Sequence, residues 1–254
     1  MSIPALSRPM SVREEFDQWA AEGRDKGMEE RHWHTAKHAL ARMPVEGGAD
    51  ERPESGDGRA AQSRDEGDTV LDLGCGSGYA GRALRETADA GRVYGLDASP
   101  EMARNARSYT DDPQVTYLVG DFEHLPFADD SIDHCFSMEA FYYASDPNAA
   151  LRELRRVLRP GGTFYCAVNF YEENVHSHHW PEMVGVEMTR WSEREYRQAF
   201  REAGLHVAGQ DRIPDREITI PPADEFPTED WESRDAMVER YRTYGTLLTV
   251  GVAP

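Results

Sequence analysis

The chain's most telling chemistry is concentrated in nine residues, Val70-Leu71-Asp72-Leu73-Gly74-Cys75-Gly76-Ser77-Gly78. An apolar run feeding a glycine-rich turn presents bare backbone to a ligand, since no side chain blocks its approach. The spacing is G-x-G-x-G, and no basic residue stands within it to cradle a phosphate as a P-loop would. Asp72 instead sets a carboxylate just before the turn, a charge that repels pyrophosphate and suits an ammonium group. Asp97 ends the run Val93–Asp97, where an acidic side chain accepts hydrogen bonds from both hydroxyls of a ribose. Asp121 follows Gly120 at the end of a third apolar run, placed to take the exocyclic amine of adenine. Ammonium, ribose and adenine without a phosphate describe S-adenosylmethionine.

The elements that must position these groups alternate. Strands are expected at Thr69–Leu73, Arg92–Leu96, Val115–Val119, Ile132–Ser137, Thr163–Val168, Leu205–Ile213 and Thr246–Val252. Between them lie helix signals. Ala80, Ala83, Leu84 and Thr87 share one face, and Ser99-Pro100 and Asp146-Pro147 each pair a capping residue with proline at the first helical position. Leu151, Leu154 and Leu158 share a face before Arg159-Pro160-Gly161-Gly162 stops the helix, and Ser192 with Glu195 forms a capping box. Strands separated by helices imply a doubly wound α/β domain. Residues 1–44 read as an N-terminal helical cap, 45–68 as a flexible acidic linker with almost no apolar bulk, and 69–254 as the main domain. Insertions fall at about 171–190 and 214–245, the first aromatic-rich and long enough to suggest a lid, the second reading as structural packing.

VLDLGCGSG, the GLD ending at Asp97, GDFEHLPFADDSID and LRELRRVLRPGGTF resemble, in order, the class I S-adenosylmethionine-dependent methyltransferases. Within them the chain is most similar to the group that contains the ubiquinone and menaquinone methyltransferases. The resemblance covers about residues 69–169. It implies a Rossmann-like, seven-stranded, mostly parallel sheet with an antiparallel last strand. It also implies that Gly74, Cys75, Gly76 and Gly78 pass the methionine portion of the cofactor, with Asp72 near its amino group and Asp97 on the ribose. Ala98 and Met102 would flank the adenine, Asp121 and the Phe122 backbone would read its edge, and Ser137 and Met138 would lie beside the sulfonium. N-terminal helices fold over the cofactor in similar enzymes, which would let Arg24 pair with its carboxylate.

The acceptor side is less specific. The segment Ser137-Met138-Glu139-Ala140-Phe141-Tyr142-Tyr143 lacks the Asn-Pro-Pro-Tyr pattern of enzymes that methylate adenine or glutamine amides. Cys135 lacks the preceding proline and the position of a pyrimidine carbon-5 nucleophile. What remains is transfer to oxygen, ring nitrogen or an activated carbon, where alignment supplies much of the rate. Glu139, Tyr142 and Tyr143 are expected to face the acceptor, with Glu139 a weak candidate base and more readily a structural hydrogen-bond acceptor, and His176 or His32 are candidates to touch it or else plain surface histidines. His34 with His38, and His176 with His178 and His179, lack the carboxylate pattern that would complete a metal site, so no metal is expected. Cys75, Cys135 and Cys166 read as small buried hydrophobes.

Composition sets the setting. The 254 residues carry a net charge of −19, and Lys26 and Lys37 are the only lysines beside 26 arginines. Such self-repulsion is screened at about 1 M salt, which suggests a protein of a halophilic archaeon. No run approaches the roughly 20 apolar residues of a membrane helix, and Met1–Met10 lacks a signal peptide's apolar stretch, so a cytoplasmic location and no membrane partner are expected. The third strand, Gln114–Val119, falls at a sheet edge without a guarding Lys or Pro. By family analogy, a small zinc-binding activator could pair with this edge. The acceptor is expected to be a small molecule, with a translation component (RNA or a factor) as the alternative.

Overall fold

The computed structural model describes residues 10–47 and 67–254. Strands β1 (Thr69–Leu73), β2 (Arg92–Asp97), β3 (Val115–Val119), β4 (Ile132–Met138), β5 (Leu158–Val168), β6 (His206–Ile213) and β7 (Thr246–Val252) form one sheet in the order β3-β2-β1-β4-β5-β7-β6. β7 alone runs against its neighbours, β5 and β6. Strand order reverses between β1 and β4, which opens the crevice at their carboxyl ends where such sheets bind ligands.

The period-two alternation of the strands builds two cores. Leu71, Leu73, Cys135 and Phe164 face helices α5 (Pro147–Val157) and α7 (Glu193–Glu202). Val70, Phe136 and Tyr165 face α2 (Met28–Leu40) and α3 (Tyr79–Ala88). The predicted caps form: Ser99 opens α4 (Pro100–Ser108), Asp146 opens α5, and the Ser192–Glu195 box opens α7. All three cysteines are buried and free.

The N-terminal segment divides in two. Ala36, Ala39, Leu40 and Met43 of α2 and its end belong to the core beneath the sheet. Helix α1 (Val12–Ala21), itself capped by a Ser11–Glu14 box, instead lies over α4. There Asp17 accepts from the Ser99 hydroxyl at 2.6 Å and the Glu101 N–H at 3.2 Å, and the buried Asp25 accepts from Tyr109 at 2.7 Å and Asn105 at 3.2 Å. Residues 48–66, the bulk of the expected linker, lie outside the described residues. Its ends are held together: the Asp68 N–H donates to the Glu46 carbonyl at 2.9 Å, and Gly47 bridges Ala90.

The first insertion contains a short helix α6 (Trp180–Val184). The second contains α8 (Arg234–Val238), which continues directly as a π-helical turn, Glu239–Tyr244. β3 is the terminal strand, as expected. Its Val119 is 49% exposed, and Tyr117 turns inward against Gly78 and Gly95. At Gly95 a Cβ would stand 2.5 Å from the Tyr117 ring and 3.0 Å from Cys75 Sγ, so β2 must carry glycine there for the edge strand to seat. Gly95→Ala is expected to cost about 1–3 kcal/mol through overpacking. Tyr117→Leu in the same chain should recover part of that loss in a denaturant titration at molar KCl.

Candidate functional site

The glycine turn closes at the carboxyl end of β1 by borrowing β2. The N–H groups of Gly74 and Cys75 both donate to the Leu96 carbonyl, at 2.8 and 3.1 Å. Gly74, Gly76 and Gly78 all have positive φ, so each conformation favours glycine. Their surroundings differ. A Cβ at Gly74 would meet Ala140 and one at Gly78 would meet the Tyr117 hydroxyl, both at 2.2 Å, so these two are also demanded by internal packing. Gly76 faces Met28 of α2, whose sulfur would lie 2.8 Å from such a Cβ.

Around the turn stand buried carboxyl groups. Asp97 accepts from the Gly76 N–H at 2.8 Å and the Ser99 N–H at 2.9 Å. Burial pushes its pKa up to about 6; the two N–H groups oppose this and Asp17 adds to it. Asp72 accepts from Gly81 at 3.2 Å in the first turns of α3. Burial raises it to about 7, against the pull of the Gly81 N–H and with a push from Asp97. The hydroxyls of Tyr79 and Ser137 are buried with no hydrogen-bond partner among the described residues. Arg82 is turned aside, donating to the Ser77 carbonyl at 2.7 Å and paired with Glu29 at 3.5 Å. Carboxyls without an ion pair and two orphaned hydroxyls, among the described residues, fit a ligand that brings its own positive charge, as S-adenosylmethionine does.

Other expected residues fall as follows. Ala98 is partly buried beside Asp97, and Met102 is fully buried in α4. Asp121 is exposed and paired with His124 at 2.9 Å, while the Phe122 ring packs near Gly74. Ser137 and Met138 end β4, buried. Arg24 opens the short 3₁₀ turn that follows α1. Its guanidinium lies 3.6 Å above the Trp19 ring, a cation–π seat that turns it onto α1.

Glu139 follows β4 with φ of 55°, an uncommon conformation for a side-chain-bearing residue. Its carboxylate accepts from the Asn169 N–H and, at 3.2 Å, from the Tyr142 hydroxyl. Burial raises its pKa to about 7, opposed by the charge of Arg240 and by these hydrogen bonds. Tyr142 packs on Tyr143 at 4.6 Å, and Tyr143 meets Phe16 of α1 at 5.0 Å. His32 lies 6.3 Å from the Tyr79 ring, and burial, helped by Arg31, lowers its pKa to about 4, so it is neutral at physiological pH. His176 pairs with Glu239 at 3.0 Å and joins the two insertions. His34 pairs with Asp215 at 3.3 Å. Sequence reasoning missed Tyr79, Asp17, Met28 and Arg240. Tyr79 carried a usable signal, being the first residue after the last glycine, whereas Arg240 lies one hundred and one positions from Glu139 with no motif around it.

Residues 71–166 match a family model described as a methyltransferase domain. A malonyl-[acyl-carrier protein] O-methyltransferase of Serratia marcescens is 45% identical over 96 residues, 38% of this chain and 36% of that protein. A sterol 24-C-methyltransferase of Aspergillus fumigatus is 30% identical over 171 residues, 61% of this chain and 44% of that protein. The chain thus spans less than half the length of these curated relatives. Among solved structures, a chain assigned as a methyltransferase, in complex with the Haloferax volcanii Trm112 methyltransferase activator, is 66% identical. That match covers 96% of this chain and 100% of the other, with a TM-score of 0.87. A geranyl diphosphate C-methyltransferase of Streptomyces coelicolor, 18% identical with a TM-score of 0.62, shares the fold over 99% of this chain and 87% of its own.

The raised carboxyl at Asp72 sets a pH signature. In the unfolded chain it ionises near ~4, in the native chain near 7. Its contribution to stability is therefore full below the unfolded value and is lost as pH rises through 7. Asp72→Asn removes the charge while keeping an acceptor for Gly81. Without ligand, the variant should gain thermal midpoint over the parent between about pH 5 and about pH 8. Calorimetry at molar KCl checks this; a gap independent of pH would contradict it.

Proposed function

The chain belongs to the class I S-adenosylmethionine-dependent methyltransferases, and on that premise we propose that it methylates a small acceptor at Glu139 and works as a heterodimer with a small zinc-binding activator. The observation that carries the acceptor side is Glu139 itself. It is a buried carboxyl at the end of β4, held in an uncommon backbone conformation, two residues after Ser137 and with its titration moved toward neutrality.

The cofactor supplies an electrophilic methyl group on a sulfonium. Asp72, with the orphaned hydroxyls of Tyr79 and Ser137, forms the acidic end that holds its charged portion. Asp97 takes the ribose, and Asp121 with the Phe122 backbone reads the adenine, while Ala98 and Met102 shape that end. On the other side, ionised Glu139 accepts the proton that the acceptor atom must lose, and Tyr142 and Asn169 hold the carboxylate in place by donating to it. A base with a pKa near the working pH balances availability against driving force. Phe16, Tyr143 and the aromatic first insertion exclude water from this end.

The activator reading is supported by the terminal position of β3, by the half-exposed Val119 on it, and by the complex in which the 66%-identical relative was solved. The near absence of lysine, the charge of −19 and that relative's Haloferax source support a halophilic origin. The four ordered motifs support a place near the ubiquinone and menaquinone group.

Transfer of labelled methyl into extract of a deletion strain, with the chain co-purified from native high-salt lysate, tests both parts. Label is expected in the organically extractable pool; label sensitive to RNase or protease overturns the small-molecule acceptor. A stoichiometric small zinc protein should co-purify. Glu139→Gln should lower kcat about 10²–10⁴-fold with cofactor binding retained, since a general base contributes on that scale. The parental rate should rise with pH through about 7, where Glu139 loses its proton, and the variant's profile should lack that rise.

A further inference from the structure

The second insertion delivers one side chain that the site described so far leaves without a task. Arg240 is 6% exposed and sits in the π-helical turn Glu239–Tyr244, a helical irregularity that recurs at functional positions. The turn ends at Gly245, with φ of 59°, where a Cβ would lie 2.3 Å from the Ile213 carbonyl oxygen. The Gly245 carbonyl accepts from Arg240 Nη1 at 3.3 Å. The guanidinium carbon lies 5.0 Å from the centre of the Tyr241 ring and 5.9 Å from that of Trp180, which brings in the first insertion as well.

A guanidinium fixed this way has donors to spare. Among the described residues Arg240 forms no salt bridge; Glu239 is taken by His176 and Glu193 by Arg212. Trp180 beside Arg240 stacks on Phe170 at 6.2 Å, and Phe170 meets Tyr142, the donor to Glu139, at 5.5 Å, so one run of aromatic rings joins Arg240 to Glu139 without a direct pair between them. A buried cation without a contacting counter-ion is costly, and the cost falls when an anion arrives. A planar fork of N–H groups matches a carboxylate in two parallel hydrogen bonds. Nearby, Arg212 is engaged by Glu193, while Arg242 of the same turn donates to the Ile218 carbonyl at 2.9 Å.

We propose that Arg240 is the anion anchor of the acceptor site, and that the acceptor is a small molecule carrying a carboxylate, seated on Arg240 beside Trp180 with its methylated atom turned toward Glu139. This rests on the reading of Glu139 as the acceptor-side base. It also assigns the second insertion, expected to be packing, to substrate choice.

The test uses the full chain as co-purified with its small partner from native high-salt lysate, at molar KCl, and a metabolite extract split on an anion exchanger into retained and unretained fractions. The retained fraction should raise the thermal midpoint of the parent. For Arg240→Met the amount needed for the same shift should rise roughly ten- to a hundredfold, the loss of a charged hydrogen-bond partner, with Arg240→Lys in between. The shift given by S-adenosylmethionine, which does not involve Arg240, should persist in both variants and shows that they are folded. A response to the unretained fraction alone, no response to either, or an undiminished response of Arg240→Met overturns the anchor. Labelled methyl transfer with the same fractions probes the reading beneath it: binding of the retained fraction without transfer leaves the anchor standing and sinks the base.

Discussion

Three carboxyl groups at the carboxyl ends of neighbouring strands, with no cation in contact, are the constraint around which this molecule is arranged. Asp72, Asp97 and Glu139 belong to β1, β2 and the residue after β4, and burial raises the pKa of each. Backbone N–H groups take part of the load: Gly76 and Ser99 serve Asp97, Gly81 serves Asp72, and Asn169 serves Glu139. The rest of the charge is left for protons or for a bound cation to balance. The glycine turn, the left-handed φ values and the crossover at β1 and β4 are the means by which one crevice collects these acids, with Arg82 and Arg240 acting on Asp72 and Glu139 through charge and not through a direct pair among the described residues.

Much of this was legible in the sequence because it depends on local rules. Strand limits at Thr69–Leu73, Val115–Val119 and Thr246–Val252 follow from short apolar runs between turn residues, and the caps at Ser99, Asp146 and Ser192 from side chains that serve the next turn. The chain of acids Asp72, Asp97 and Asp121 was legible for the same reason, since each lies within two residues of a strand's carboxyl end. What was not legible depends on distant partners. Arg24 could be placed near the cofactor only by analogy, and its contact with Trp19, five residues away, has no signature in the sequence. Arg240 reaches the neighbourhood of Glu139 through two insertions and a π turn, none of which has a periodic signature. The exposed position of Asp121 and the full burial of Met102 likewise follow from packing between elements, which single-strand patterns do not encode.

The N-terminal segment shows how one stretch of chain serves both ends of the crevice. Asp17 and Asp25 attach it to α4, Met28 covers Gly76, and Phe16 touches Tyr143 beyond β4. Because α2 continues from it into the core, the cover is tethered to the same body that bears the carboxyls. The same segment thus touches both the glycine turn and the aromatic side chains after β4.

The clasp between Glu46 and Asp68 fixes where the chain leaves the fold and where it rejoins it. A hydrogen bond and the Gly47–Ala90 bridge hold those two points together, so the entry to β1 does not depend on the residues between them for its position. Lengthening a loop whose ends are pinned adds only a logarithmic entropy, about 0.6 kcal/mol for each doubling. Evolution can therefore lengthen, shorten or restyle this stretch without renegotiating the catalytic sheet, and a protein engineer inherits the same licence to graft there.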